Sequence, residues 1–197
     1  MKASKWMTLA TVAVMATACG GDDNGGTGPG GRLGSFSADV TGDLETSLDG
    51  WALFGAQSDE GGEGFGLVMS EIDDKHDAGG TITIVRLNST SLPTGEYDIK
   101  SFETAENAGD VVVLATDSEG NDLNAIFSST GGTLHVTTSN SNSLKGTFSV
   151  DMVGTVFADP ETEYAITIEG TFDAKKASNG ELVRTNVLRK QIRKVAK

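Results

Sequence analysis

The chain has 197 residues, with 28 acidic side chains against 15 basic ones and a formal net charge of −13. A body this acidic repels nucleic-acid phosphates and anionic lipid head groups, which excludes both as partners to expect of the main domain. A single cysteine excludes an internal disulfide framework, so the fold must stand on its core alone.

Lys2 and Lys5 precede an uncharged apolar run, WMTLATVAVMA from Trp6 to Ala16. A basic start and a short apolar core are the parts of a secretory signal. The run is well short of the roughly 20 residues that a membrane-spanning helix needs. Ala16, Thr17 and Ala18 then place small side chains directly before Cys19, which fits a signal peptidase cleft. Residues 1–18 are therefore read as a processed leader that leaves Cys19 first in the mature chain. The stretch resembles the lipobox of bacterial lipoproteins, an aliphatic or small residue and two small ones before a cysteine, with Ala16 standing where leucine is commonest. The resemblance implies acylation of Cys19 and a membrane partner held through it; at about 0.8 kcal/mol per buried methylene, two or more acyl chains anchor durably. The plainer alternative is a general secretory signal cleaved after Ala18. It would leave an exported protein with a lone reactive thiol.

Half of residues 19–34 are glycine, with scattered polar residues and one proline, the composition of a flexible tether. Gly20 beside the cysteine resembles lipoproteins sent to the outer membrane of two-membrane bacteria. Asp22-Asp23 resembles the short acidic tag that takes some Bacteroidota-type lipoproteins to the outer face, and equally serves to keep a tether soluble. The implied location is the cell envelope, as an outer-membrane lipoprotein that is surface-exposed if the tag is read.

Residues 35–174 form one domain's worth of chain, and glycine, threonine, serine and valine recur through it. Period-two alternation dominates. In SLKGTFSVDMVGTV, Leu144, Phe148, Val150, Met152 and Val156 share one parity, and Lys145, Thr147, Ser149, Asp151 and Thr155 the other. EYAITIEGTFDA repeats the arrangement, and the two segments are expected to pair as an antiparallel hairpin. SFSADV, WALFGA, GFGLVMSEI, TITIVRL, GEYDI, DVVVLAT, LNAIFSS and TLHVTT supply further strands, separated by turn signals such as Asp49-Gly50, Pro93-Thr94-Gly95 and Gly131-Gly132. About ten strands at this spacing predict an all-β antiparallel sandwich or barrel, and the sequence does not separate the two. DVVVLA is apolar on both parities, as a strand covered on both faces would be. The phrase Gly-Thr-Phe occurs twice, and Gly146 and Gly170 are expected either at bulges or where a bulky neighbour crosses the strand.

Asp49-Gly50-Trp51, Leu92 to Tyr97, Gly131 to Thr137, Lys145 to Ser149 and Ile168 to Asp173 follow in an order that resembles a family of Bacteroidota-type lipoproteins of unknown function. The likeness implies a β-rich envelope lipoprotein without assigned chemistry.

Residues 175–197 change character: eight basic side chains stand against Glu181, after a body from Leu33 to Ala174 with 25 acidic and four basic ones. Val183, Val187, Leu188, Ile192 and Val195 fall near a helical stripe among Arg184, Arg189, Lys190, Arg193 and Lys194, with Ser178 or Asn179 as a cap. One reading is a short amphipathic helix for acidic lipid or a partner. The other, preferred here, is that the tail folds against its own acidic body or continues as an edge strand.

For chemistry, the sequence offers neither a nucleophile with its base nor a phosphate loop; its two glycine-rich runs lack the lysine such a loop uses. Asp73, Asp74 and Asp77 surround His76 and are ligand types for a divalent ion. Neighbours in one short loop rarely converge on a point, so the loop is read as solvated acid and no metal or cofactor is expected. His135 falls on the polar parity of its strand, and Trp51, on the parity of Leu53, is expected in the core. The resulting expectation is a lipid-anchored structural or binding module, not an enzyme, with an envelope protein or glycan as partner and no nucleic acid. The alternatives are a lipocalin-like barrel holding an apolar small molecule and, behind it, a hydrolase with an unrecognised site.

Overall fold

The structure, a computed structural model, describes residues 33–59, 62–71, 79–119 and 122–177. Among these residues the alternating segments become nine strands: β1 (Gly34–Gly42), β2 (Thr46–Asp59), β3 (Gly62–Glu71), β4 (Thr81–Leu87), β5 (Gly95–Asp98), β6 (Val111–Glu119), β7 (Asp122–Ser139), β8 (Ser143–Val156) and β9 (Asp159–Lys176). They form one sheet in the order β5-β7-β6-β4-β3-β2-β1-β9-β8, and a further β7–β8 pairing closes it on itself. The ring is irregular, because strand lengths run from 4 to 18 residues. Neighbouring strands are antiparallel, apart from a short parallel contact where Lys175 and Lys176 of β9 lie beside Leu53 and Phe54 of β2.

Nine strands replace the expected ten because LNAIFSS and TLHVTT are one strand. Gly131-Gly132 does not turn the chain: β8 pairs with β7 from Ala125 through Ser139, and the ladder absorbs one extra residue between Ser129 and Gly131 as a bulge. Gly132 has φ 135°, a conformation for glycine, and its backbone lies against that of Ser149 and Val150. At this bend β7 exchanges partners on its other edge, from β6 to β5. The buried Ser129 hydroxyl bridges the junction, accepting from Val113 N–H at 3.0 Å and donating to the Lys100 carbonyl at 2.7 Å.

The dry parity of every long strand points into the ring. Phe36, Ala38 and Val40 of β1, Phe65, Leu67 and Met69 of β3, Val111 and Val113 of β6, and Phe148, Val150 and Met152 of β8 belong to one continuous core. Leu92 and Ile99, from the connection between β4 and β6, are buried in that same core. Arg86 holds this connection, with its guanidinium 5.2 Å from the centre of the Tyr97 ring and donating to the Ser91 carbonyl at 2.7 Å.

The two Gly-Thr-Phe phrases meet. The β8–β9 register sets Gly146 opposite Phe172 and Phe148 opposite Gly170. A side chain at Gly146 would meet Cζ of Phe172 at 2.8 Å, and one at Gly170 would meet Cζ of Phe148 at 2.8 Å. Each ring therefore occupies the space that the opposite glycine leaves, and the two rings tilt against one another at 6.5 Å. Of the two expectations for these glycines, the crossing neighbour is the one found. Trp51 differs from expectation: the inward parity of β2 is Ala52 and Phe54, so Trp51 stands half-buried on the outside, level with Ser70.

Candidate binding surface

Strands β1, β9, β8 and the second half of β7 lie side by side, and their outward parity is polar apart from Val153 of β8 and Ala165 of β9. Register aligns these side chains in rows across strands that are distant in sequence. One row reads Ser47, Asp39, Glu169, Ser149 and Thr133. The next reads Asp49, Ser37, Thr171, Thr147, His135 and Glu96. The middle of these rows lines an open groove of about 460 Å³, with Ser37 and Asp39 on one side, Glu169 and Thr171 beneath, and Thr133, Thr147 and Ser149 on the other.

Asp39 and Glu169 are direct cross-strand neighbours, a like-charge pairing that costs stability unless solvent and hydrogen bonds offset it. Hydroxyls on the far sides supply those bonds. Ser47 donates to Asp39 Oδ1 at 2.8 Å, and Ser149 donates to Glu169 Oε1 at 3.0 Å. Thr167 likewise donates to Asp151 Oδ1 at 2.9 Å. At the groove's end Lys145 and Lys175 reach Asp173 at 2.6 and 3.3 Å. The hydrogen bond from Lys145, aided by Lys175 and opposed by partial burial, holds the Asp173 carboxyl below the usual range. The groove is thus rich in acceptors and negative at its centre, suited to partners that bring donors or positive charge.

His135 is exposed on β7, as its parity predicts, between Glu96 and Thr147. Cys19 and the loop candidates Asp73, Asp74, His76 and Asp77 lie outside the described residues. Among the described residues no three His, Cys, Asp or Glu side chains come together as metal ligands would. Asp39, Glu169 and their serine partners were not singled out from sequence. The signal available there was only their wet parity, and sheet register is what assembles residues from opposite ends of the chain. Compared with models of protein families, with curated proteins and with solved structures, the chain matches none of them.

Proposed function

We propose that this chain is a lipid-anchored protein of the cell envelope, whose β body binds or scaffolds and does not catalyse. The observation that carries the reading is Cys19, placed directly after an uncharged apolar run and three small residues, and followed by a glycine-rich stretch. An anchor of this kind suits the body it would hold. The inward parity is apolar and the outward parity of β1, β8 and β9 is largely polar, so this half of the ring does not present the lipid-facing band of a membrane barrel. Attachment then comes from the acylated cysteine and not from the strands.

Binding is assigned to the outer groove around Asp39 and Glu169, and the partner favoured is a basic segment of another envelope protein, with a glycan as the alternative. A lipocalin-like role is less well supported, because Leu67, Met69, Ile82, Leu134 and Val150 fill the ring interior that such a ligand would occupy. Catalysis is likewise less well supported: the hydroxyls nearest the groove's carboxylates donate to them in the open, with no excluded-water pocket around them. The test is metabolic labelling of the full chain with a palmitate analogue in a two-membrane host, beside Cys19→Ser. Wild type is expected to carry label and sediment with membranes, and the variant to lose both. An unlabelled wild type, or a variant that stays with the membrane, overturns the reading.

A further inference from the structure

Three buried hydrophobic residues stand apart from the interior core: Leu53 at 9 % exposure, Val112 at 1 % and Ala177 at 5 %. Their parity explains why. On β2 and β6 the inward residues are Ala52, Phe54, Val111 and Val113, so Leu53 and Val112 point out of the ring. Register gathers more apolar outward positions around them. Leu53, Val68, Thr83 and Leu114 form one row across β2, β3, β4 and β6, and Gly55, Gly66, Val85 and Val112 form the next. This face contrasts with the Ser, Thr, Asp and Glu rows on the other half of the ring. The described strands make a single sheet, so no second sheet is stacked over it.

The chain itself arrives at this face. Lys175 and Lys176 run beside Leu53 and Phe54, and Ala177 N–H donates to the Phe54 carbonyl at 2.8 Å, which sets Ala177 next to Gly55. Residues 178–197 follow, outside the described residues, with six basic side chains and one acidic one. Within them Leu188, Ile192 and Val195 recur at helical spacing, while Arg189, Lys190, Arg193, Lys194 and Lys197 fall on the opposite arc. From Leu188 to Val195 a helix rises about 10 Å. The four strands span roughly 14 Å between the outermost axes, so a helix over these residues would cross about three of them, with its end side chains reaching toward the fourth.

We propose that residues 178–197 dock across the outer face of β2, β3, β4 and β6, with Leu188, Ile192 and Val195 against Leu53, Val68, Val112 and Leu114. The apolar seam explains the burial of outward residues, and the basic arc left in solvent offsets the charge of an acidic body. The glycine-rich residues 20–34 enter the sheet nearby at Gly34, opposite Ala52, but offer one large apolar side chain, Leu33, with which to cover such a face. The docking is independent of the anchor and does not require Cys19 to be acylated.

The test is methyl NMR of the full chain carrying Cys19→Ser, together with Leu188→Asp and with a truncation after Ala177. Cross-peaks are expected between Leu188 or Ile192 methyls and those of Leu53, Val68 or Val112. Leu188→Asp is expected to abolish them, lower the thermal midpoint and raise binding of a hydrophobic dye, and the truncation to do the same if it folds. The proposal is overturned if the cross-peaks are absent in the full chain. It is also overturned if Leu188→Asp changes neither midpoint nor dye binding, or if the tail instead binds phosphatidylglycerol vesicles while dye binding to the body stays low.

Discussion

The reciprocal fit of Gly146 with Phe172 and of Phe148 with Gly170 makes a quantitative prediction about stability. Phe172 is 4 % exposed, and its truncation in Phe172→Ala removes a buried ring for about 3–5 kcal/mol. Gly146→Ala acts oppositely, by overfilling: the new methyl would press on the His135 carbonyl and approach Phe172 Cζ at 2.8 Å. Overpacking of this kind costs about 1–3 kcal/mol, which for a chain of this size lowers the midpoint by roughly 2–4 °C per kcal/mol. In the double variant the methyl no longer meets a ring and fills part of the vacated space, whereas its conflict with the His135 backbone remains. The combined loss should therefore fall short of the sum by about 0.5–3 kcal/mol, the range for residues in contact. The mirror pair, Gly170→Ala with Phe148→Ala, should couple in the same sense, with part of the strain left at Ala38 and the Ser37 carbonyl. Urea unfolding followed by far-ultraviolet circular dichroism measures all four corners of each cycle. Additivity within about 0.5 kcal/mol in both cycles would refute the reciprocal packing.

Two further outcomes follow from individual bonds. Ser129→Ala should cost about 1–3 kcal/mol or more, since Val113 N–H and the Lys100 carbonyl both lose a partner at a buried site; urea unfolding that shows less than 0.5 kcal/mol lost would mean the junction repairs itself. Asp173 has a folded pKa below its unfolded one, so its contribution is present above the unfolded value near 4 and is lost as pH falls through the folded value. The pair is exposed and screened, which limits the contribution to about 0.2–1 kcal/mol. Asp173→Asn should therefore be slightly less stable than wild type at pH 7 and indistinguishable from it near pH 2, and a difference that persists in acid would assign the effect to packing.

The groove and the apolar outer face give the two halves of the ring different surfaces. A sheet closed on itself needs only one dry side, its interior, and the polar rows of β1, β8 and β9 meet that expectation. Rows of Leu, Val and Thr outside β2, β3, β4 and β6 do not meet it, and an occupant is the physical reason to retain them. DVVVLA already carried this information as a strand apolar on both parities, since Val112 is buried outside the core while Val111 and Val113 lie within it.

Alternation along Leu144 to Val156 and Tyr164 to Ala174 determined from sequence that these were strands, which side was dry, and that they would pair. The same period located most of the other strands, because a pleated chain half in water records its two faces in successive residues, although Asp49-Gly50, expected as a turn, lies within β2. It did not determine which strands lie alongside one another. LNAIFSS and TLHVTT looked like two strands because Gly131-Gly132 carries a turn signal, and only the continuous ladder with β8 carries the chain straight through. Trp51 looked like core because one residue's slip in parity exchanges inside for outside. Asp39 and Glu169 became neighbours through β1–β9 pairing, a long-range contact that no local spacing encodes. Strand identity is written locally in the chain, whereas closure, register and the surfaces they assemble depend on which distant strand offers the better partner.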